Sequence, residues 1–168
     1  MSGFLKGIID AIADGKKEIY NPVFIYGPAI HTMKAIDELD ERYRQTHPCA
    51  KIKRIYGQQY VDGIISAVIL REDLKQYKHS LTECDMFIFE GAEYLGGKQS
   101  VMEEFYGLFD ALWEGGKQIV MTSSRPPKEI LSLDDRILTQ LEGGIICNVE
   151  ESIPLKCVGN RSGERSDS

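Results

Sequence analysis

Val23-Phe24-Ile25-Tyr26-Gly27-Pro28-Ala29-Ile30-His31-Thr32-Met33-Lys34 decides the fold. Its first four residues are apolar without in/out alternation, the mark of a strand buried on both faces. From residue 32 to 45, Met33, Ile36, Leu39 and Tyr43 recur on one stripe with charges on the other, and Pro48 ends the segment. That is an amphipathic helix following the strand almost at once, the repeating unit of a parallel sheet.

Outward from this stretch the pattern repeats. Short apolar runs at Ile52–Tyr56, 86–89, 118–122 and 145–149 read as four more strands. Between them lie helical segments at 58–70 and 72–81, joined near Arg71, and at 98–114. The last repeats Val101, Met102, Phe105, Leu108, Phe109 and Leu112 on one face and stops at Gly115-Gly116. A further helix over 4–13 precedes the sheet. The expected fold is α/β, a three-layer sandwich around a five-stranded parallel sheet. The expected organisation is an N-terminal helix and linker over 1–19, a core over 20–158 and a polar, disordered tail over 159–168.

A length of 168 residues suits one domain of ordinary size. The net charge of −6 argues against non-specific duplex DNA binding, which needs a dominant basic face. No apolar run approaches the roughly 18 to 20 residues needed to span a bilayer, and the first 17 residues lack a signal-peptide pattern, so a cytoplasmic location is expected. Cys49, Cys84, Cys147 and Cys157 are scattered without CxxC pairs or histidines at ligand spacing, so they read as mostly structural thiols, and no metal site is expected.

Open parallel sheets bind ligands beyond the carboxyl ends of their strands, so the decisive loops begin at Gly27, Glu90 and Ser123. A phosphate-binding loop needs Gly-x-x-x-x-Gly-Lys-Ser/Thr after the first strand, with backbone amides around phosphate, lysine for charge and a hydroxyl for magnesium. Here Gly27 runs into Pro28, which has no amide hydrogen; no second glycine follows, and Lys34 sits inside the helix. The third strand ends at Glu90-Gly91, where one carboxylate stands and its neighbour has no side chain. Glu90 reads as an acid either solvated or paired with a neighbour. The segment 91–98 resembles a phosphate loop, but it is one residue too long and Gln99 replaces the hydroxyl. His31, His47 and His79 have no Ser or Cys in a nucleophile setting. Glu103-Glu104 and Asp134-Asp135 read as solvated faces or an N-terminal cap.

Several segments, in order, resemble the AAA+ ATPase domain of the bacterial replication initiator DnaA. Asn21-Pro22-Val23-Phe24-Ile25-Tyr26-Gly27 resembles that family's entry into its phosphate loop, and His31 to Ile36 the helix after it, as though the loop between had been cut out. Residues 85–94 resemble its Walker B strand. Gly97-Lys98, Glu103-Glu104-Phe105 and Phe109-Asp110-Ala111-Leu112 resemble the helix that follows. The stretch from Lys117 through Thr122-Ser123-Ser124-Arg125-Pro126-Pro127 to Ile130 is the most specific, being similar to the fourth strand and sensor loop. The resemblance runs from about Tyr20 to Val149, and a core without the family's helical lid or its helix-turn-helix domain is expected.

The resemblance implies that nucleotide chemistry is degenerate. Gly27 and Pro28 stand where the phosphate loop would open, and Glu90 where the magnesium-binding Asp would be. Gly91 takes the place of the catalytic acid, Ser124 the polar sensor and Gln140 the inter-subunit arginine finger, whose charge a neutral amide cannot supply. Ile65 and Lys98 lie near positions that contact single-stranded DNA in relatives. The expectation is a pseudo-ATPase with no cofactor, acting by contact with full-length DnaA or another replication protein. An ATP-binding, weakly hydrolysing initiator paralogue and a single-stranded DNA binder are the rival readings.

Overall fold

The computed structural model describes residues 3–15 and 20–150. Strands β1 (Val23–Tyr26), β2 (Ile52–Tyr56), β3 (Met86–Glu90), β4 (Gln118–Ser123) and β5 (Ile145–Asn148) form one sheet in the order β2-β3-β4-β1-β5. Every pairing is parallel. The five-stranded parallel sheet read from the apolar runs is thus the observed one. Strands β1, β3 and β4 are buried along their whole length because both faces are covered, whereas β2, at the sheet edge, carries Lys53 and Arg54 and is only partly buried.

Period-2 alternation divides each strand between two cores. Phe24, Tyr26, Phe87, Phe89, Ile119 and Met121 face one layer, made by α3 (Gly57–Ile69), α4 (Leu74–Thr82), α5 (Gln99–Glu114) and α6 (Asp135–Gly143). Val23, Ile25, Met86, Ile88, Val120 and Cys147 face the other, made by α1 (Gly3–Ala13) and α2 (Ala29–Thr46). Helix α1 supplies Leu5, Ile8, Ile9 and Ile12 to that second core.

Helix boundaries differ from expectation for local reasons. Helix α2 begins at Ala29, three residues early, because Pro28 is its N-cap and the Pro28 carbonyl accepts from His31 and Thr32 amides at 2.9 and 3.1 Å. Helix α4 starts at Leu74 rather than 72, since the Asp73 carboxylate accepts from the Lys75 amide at 2.9 Å. Arg71, with φ 53°, makes the left-handed turn between α3 and α4. Helix α5 begins at Gln99, with Lys98 as its N-cap, and Gly116 rather than Gly115 carries the left-handed conformation beyond its end.

Helix α6 has no counterpart in the periodicity reading, because nine residues burying only Ile137 and Leu141 are too short to show a stripe. Its N-cap is Asp134, which accepts from the Arg136 amide at 2.8 Å and also pairs with the Arg136 guanidinium. Those contacts, the guanidinium hydrogen bond foremost, hold the Asp134 carboxyl below its ordinary pKa of 3.8. A lowered folded-state pKa gives stability that is present above the unfolded value and lost as pH falls. Asp134→Ala is therefore expected to cost about 1 kcal/mol at neutral pH, with the gap to the parent narrowing as pH falls below 3.8; urea midpoints across pH measure both.

Cys84 and Cys147 are buried, as their apolar settings imply, and burial pushes the Cys84 thiol up to about 11. Cys49 is exposed, so its thiol is not a core group. Cys157 and the expected tail over 159–168 lie outside the described residues. No helix among the described residues is long and apolar enough to cross a membrane.

Candidate functional site

Strands β1, β3 and β4 end on one rim, where the chain turns into α2, into the 3-10 turn Ala92–Leu95 and into the loop at Ser124. These turns, with Tyr56 at the end of β2, enclose a cleft of ≈ 300 Å³. Its walls include Thr32, Met33, Tyr56, Tyr94, Glu90, Glu93, Gly91 and residues Thr122 to Ser124. The loops that the sequence expectation singled out, from Gly27, Glu90 and Ser123, leave this rim, and Glu90 and Ser123 line the cleft while Gly27 does not. Glu90, Gly91 and Ser124 line one cavity.

The β1–α2 connection is two residues long. Gly27, with φ 141°, donates its amide to the Ser123 carbonyl at 3.0 Å, and a Cβ there would lie 2.6 Å from the Val149 Cγ1. Pro28 has no amide to offer. The backbone hydrogens that would wrap a phosphate are therefore spent or lacking at both positions. Lys34 is exposed and faces a separate groove with Lys6, Asp37 and Arg42. Among the described residues no Lys, Arg or His lines the cleft, while two glutamates do.

Glu90 is 4% exposed and is held by Arg54 of β2. The guanidinium Nε donates to Glu90 Oε2 at 2.6 Å and Nη2 to Oε1 at 3.1 Å. Its Nη1 donates to Asp37 Oδ1 of α2 at 2.8 Å. Such forked geometry fits guanidinium to carboxylate and engages both oxygens of the acid. The hydrogen bond to Glu90, ahead of that to Asp37, raises the Arg54 pKa above its already high ordinary value. Of the two readings given for Glu90, pairing is the observed one. Arg54 and Asp37 were not found from the sequence; a basic residue in the middle of a strand run was the available signal.

Gly91 adopts φ 82°, accepts a hydrogen bond from the Tyr94 amide, and donates its own amide to the Thr122 carbonyl at 3.0 Å. A side chain there meets both a left-handed backbone and the Tyr94 ring, 3.0 Å from an added Cβ. The stretch 91–98 that resembles a phosphate loop is mostly the 3-10 turn Ala92–Leu95, and the Lys98 Nζ turns back to the Tyr94 carbonyl at 3.0 Å. The exposed Ser124 gives its amide to Glu93 Oε2 at 3.3 Å.

A family model described as the bacterial DnaA ATPase domain matches residues 4–148. The chain belongs to that family. The chromosomal replication initiator protein DnaA of Corynebacterium aurimucosum is 32% identical over 88% of this chain and 27% of its own length. That of Symbiobacterium thermophilum is 34% identical over 83% of this chain and 31% of its own. The chain thus spans under a third of the length of these curated relatives. Domain III of the Thermotoga maritima replication initiation protein DnaA superposes with a TM-score of 0.78 at 22% identity, covering 87% of this chain and 60% of that one.

The other positions that the DnaA resemblance singled out lie apart from the cleft. Gln140 is half-buried on α6. Ile65 is 46% exposed on α3, and Lys98 is exposed before α5; no hydrogen bond, ion pair or cavity among the described residues joins them. His31 lies 3.8 Å from Glu150, His79 lies 3.3 Å from Glu83, and His47 stacks on Tyr43. Glu104 pairs with Lys78 at 2.6 Å. Among the described residues no group of three or more His, Cys, Asp or Glu is placed to hold a metal ion.

Proposed function

We propose that this DnaA-family domain works by protein contact in replication initiation or its regulation, as a pseudo-ATPase that binds no nucleotide. The observation that carries this reading is the cleft itself. Where a triphosphate would need amides and a cation, the cleft presents two glutamates and no cation among the described residues, and in the adjoining turn the Gly27 amide is spent on Ser123 while Pro28 has none. Placing a tetra-anion beside such a surface opposes charge to charge. Retention of the buried scaffold and family likeness support contact with full-length DnaA, or another replication protein, as the role left to it.

Calorimetry with ATP and magnesium is expected to show no binding up to about 1 mM, and a co-sedimentation titration with DnaA is expected to show association that does not depend on ATP. Binding on the order of micromolar, about −8 kcal/mol, would restore the rival reading of an ATP-binding paralogue. Oligo-dT binding that weakens steeply with salt and with Lys98→Ala would replace both by single-stranded DNA binding. With a net charge of −6, the expected outcome is none.

A further inference from the structure

We propose that the cleft at the strand ends is a receptor for a basic side chain of a protein partner, with Glu93 as the charge that receives it. Glu93 is half-buried and lines the cavity, yet among the described residues its carboxylate receives only one long hydrogen bond, from the Ser124 amide at 3.3 Å. It has no ion pair among the described residues, and the nearby Arg54 is taken by Glu90 and Asp37. The cleft wall therefore holds two carboxylates, of which Glu90 is matched by Arg54 and Glu93 by no cation among the described residues. An unmatched carboxylate on a concave wall focuses negative potential outward.

The remaining walls define the shape of the ligand. Tyr56, Tyr94 and Met33 are 48%, 47% and 45% exposed, although each is large and apolar, and they flank the same cavity. Aromatic faces attract guanidinium and ammonium groups, and thioether and ring carbons suit the methylene stem that carries them. A phosphate, a carboxylate or a purely aliphatic group satisfies one part of this lining and conflicts with another. A lysine or arginine projecting from a partner satisfies all of it, and ≈ 300 Å³ holds one such side chain. The inference rests on the proposed role in protein contact and adds the chemistry of the partner.

The test uses the full chain and two capped tripeptides, acetyl-Leu-Arg-Leu-amide and its counterpart with citrulline, which keeps the shape of arginine and loses the charge. In an amide NMR titration the arginine peptide is expected to shift Tyr56, Glu93 and Tyr94 saturably. The citrulline peptide and the Glu93→Gln variant are each expected to bind at least about fivefold more weakly. Glu93→Gln keeps the acceptor for Ser124, so the fold is retained and an unchanged amide spectrum elsewhere verifies it. Absent shifts, or equal binding of both peptides, overturn the inference. Shifts of the same amides that grow with protein concentration alone assign the cleft to a second copy and overturn it too. In a parallel titration with DnaA, association unchanged by Glu93→Gln removes this inference and leaves the proposed function standing. Absence of any association removes DnaA as the partner and leaves the peptide result to decide.

Discussion

Arg54→Met is expected to lower unfolding free energy by about 3 kcal/mol, the lower end of the range for stripping a buried ion pair of one member. The lower end applies because the Arg54 side chain is 23% exposed, so water reaches the site, whereas the Glu90 side chain is only 5% exposed. The Asp37 contact contributes little to this loss, since that carboxylate is 64% exposed. Nearly all of the cost comes from leaving a carboxylate inside the sheet without its two donors. The double variant Arg54→Met with Glu90→Met is expected to regain most of the loss, because apolar side chains of similar volume replace a buried pair at little net cost. Urea unfolding of the four members of the cycle measures the coupling; a single-variant loss under about 1 kcal/mol would show that the bridge does not hold the rim. Freed of Arg54, Glu90 is not expected to restore ATP binding, because Gly27-Pro28 still supplies no phosphate cradle.

That bridge also marks the limit of what the sequence discloses. Strands β1, β3 and β4 were readable because a strand buried on both faces leaves a continuous apolar run, and a run needs no knowledge of its neighbours. The lack of a Gly-x-x-x-x-Gly-Lys pattern after β1 was readable because proline and the missing glycine act within a few residues. Arg54 and Glu90 are 36 positions apart, and their meeting depends on β2 lying beside β3 with Tyr56 opposite Glu90. Nothing in either local segment encodes that adjacency. The same holds for Glu93: its lack of a cation among the described residues is a property of the cleft, assembled from β2, α2, the 3-10 turn and the loop after β4. Helix α6 escaped for the opposite reason, being local but too short for its period to rise above chance.

Gly57→Ala is the second large effect, and here two local rules disagree. Gly57 is the first residue of α3, and helix propensity alone favours alanine by about 1 kcal/mol. An added Cβ would lie 2.2 Å from the Gly91 carbonyl oxygen and 3.1 Å from its carbon. Both are backbone atoms. Gly91 is fixed by its left-handed φ of 82° and by the hydrogen bond of its amide to Thr122 on β4, so it cannot yield cheaply. Overpacking of this kind costs about 1–3 kcal/mol, more when main chain must move, and it outweighs the propensity gain. With the cost at the upper end of that range, a net loss of about 2 kcal/mol is expected. Gly107→Ala on the exposed face of α5 is the control, since its Cβ would meet only the Lys78 Nζ at 3.5 Å; a gain of about 0.5–1 kcal/mol is expected there. Because the displaced atoms carry Tyr94, Gly57→Ala is also expected to disturb the Tyr56 and Tyr94 amides that line the cleft. A variant as stable as the parent with those resonances unmoved would mean that the β2–α3 turn and the end of β3 do not touch as described, and the walls of the cleft would have to be redrawn.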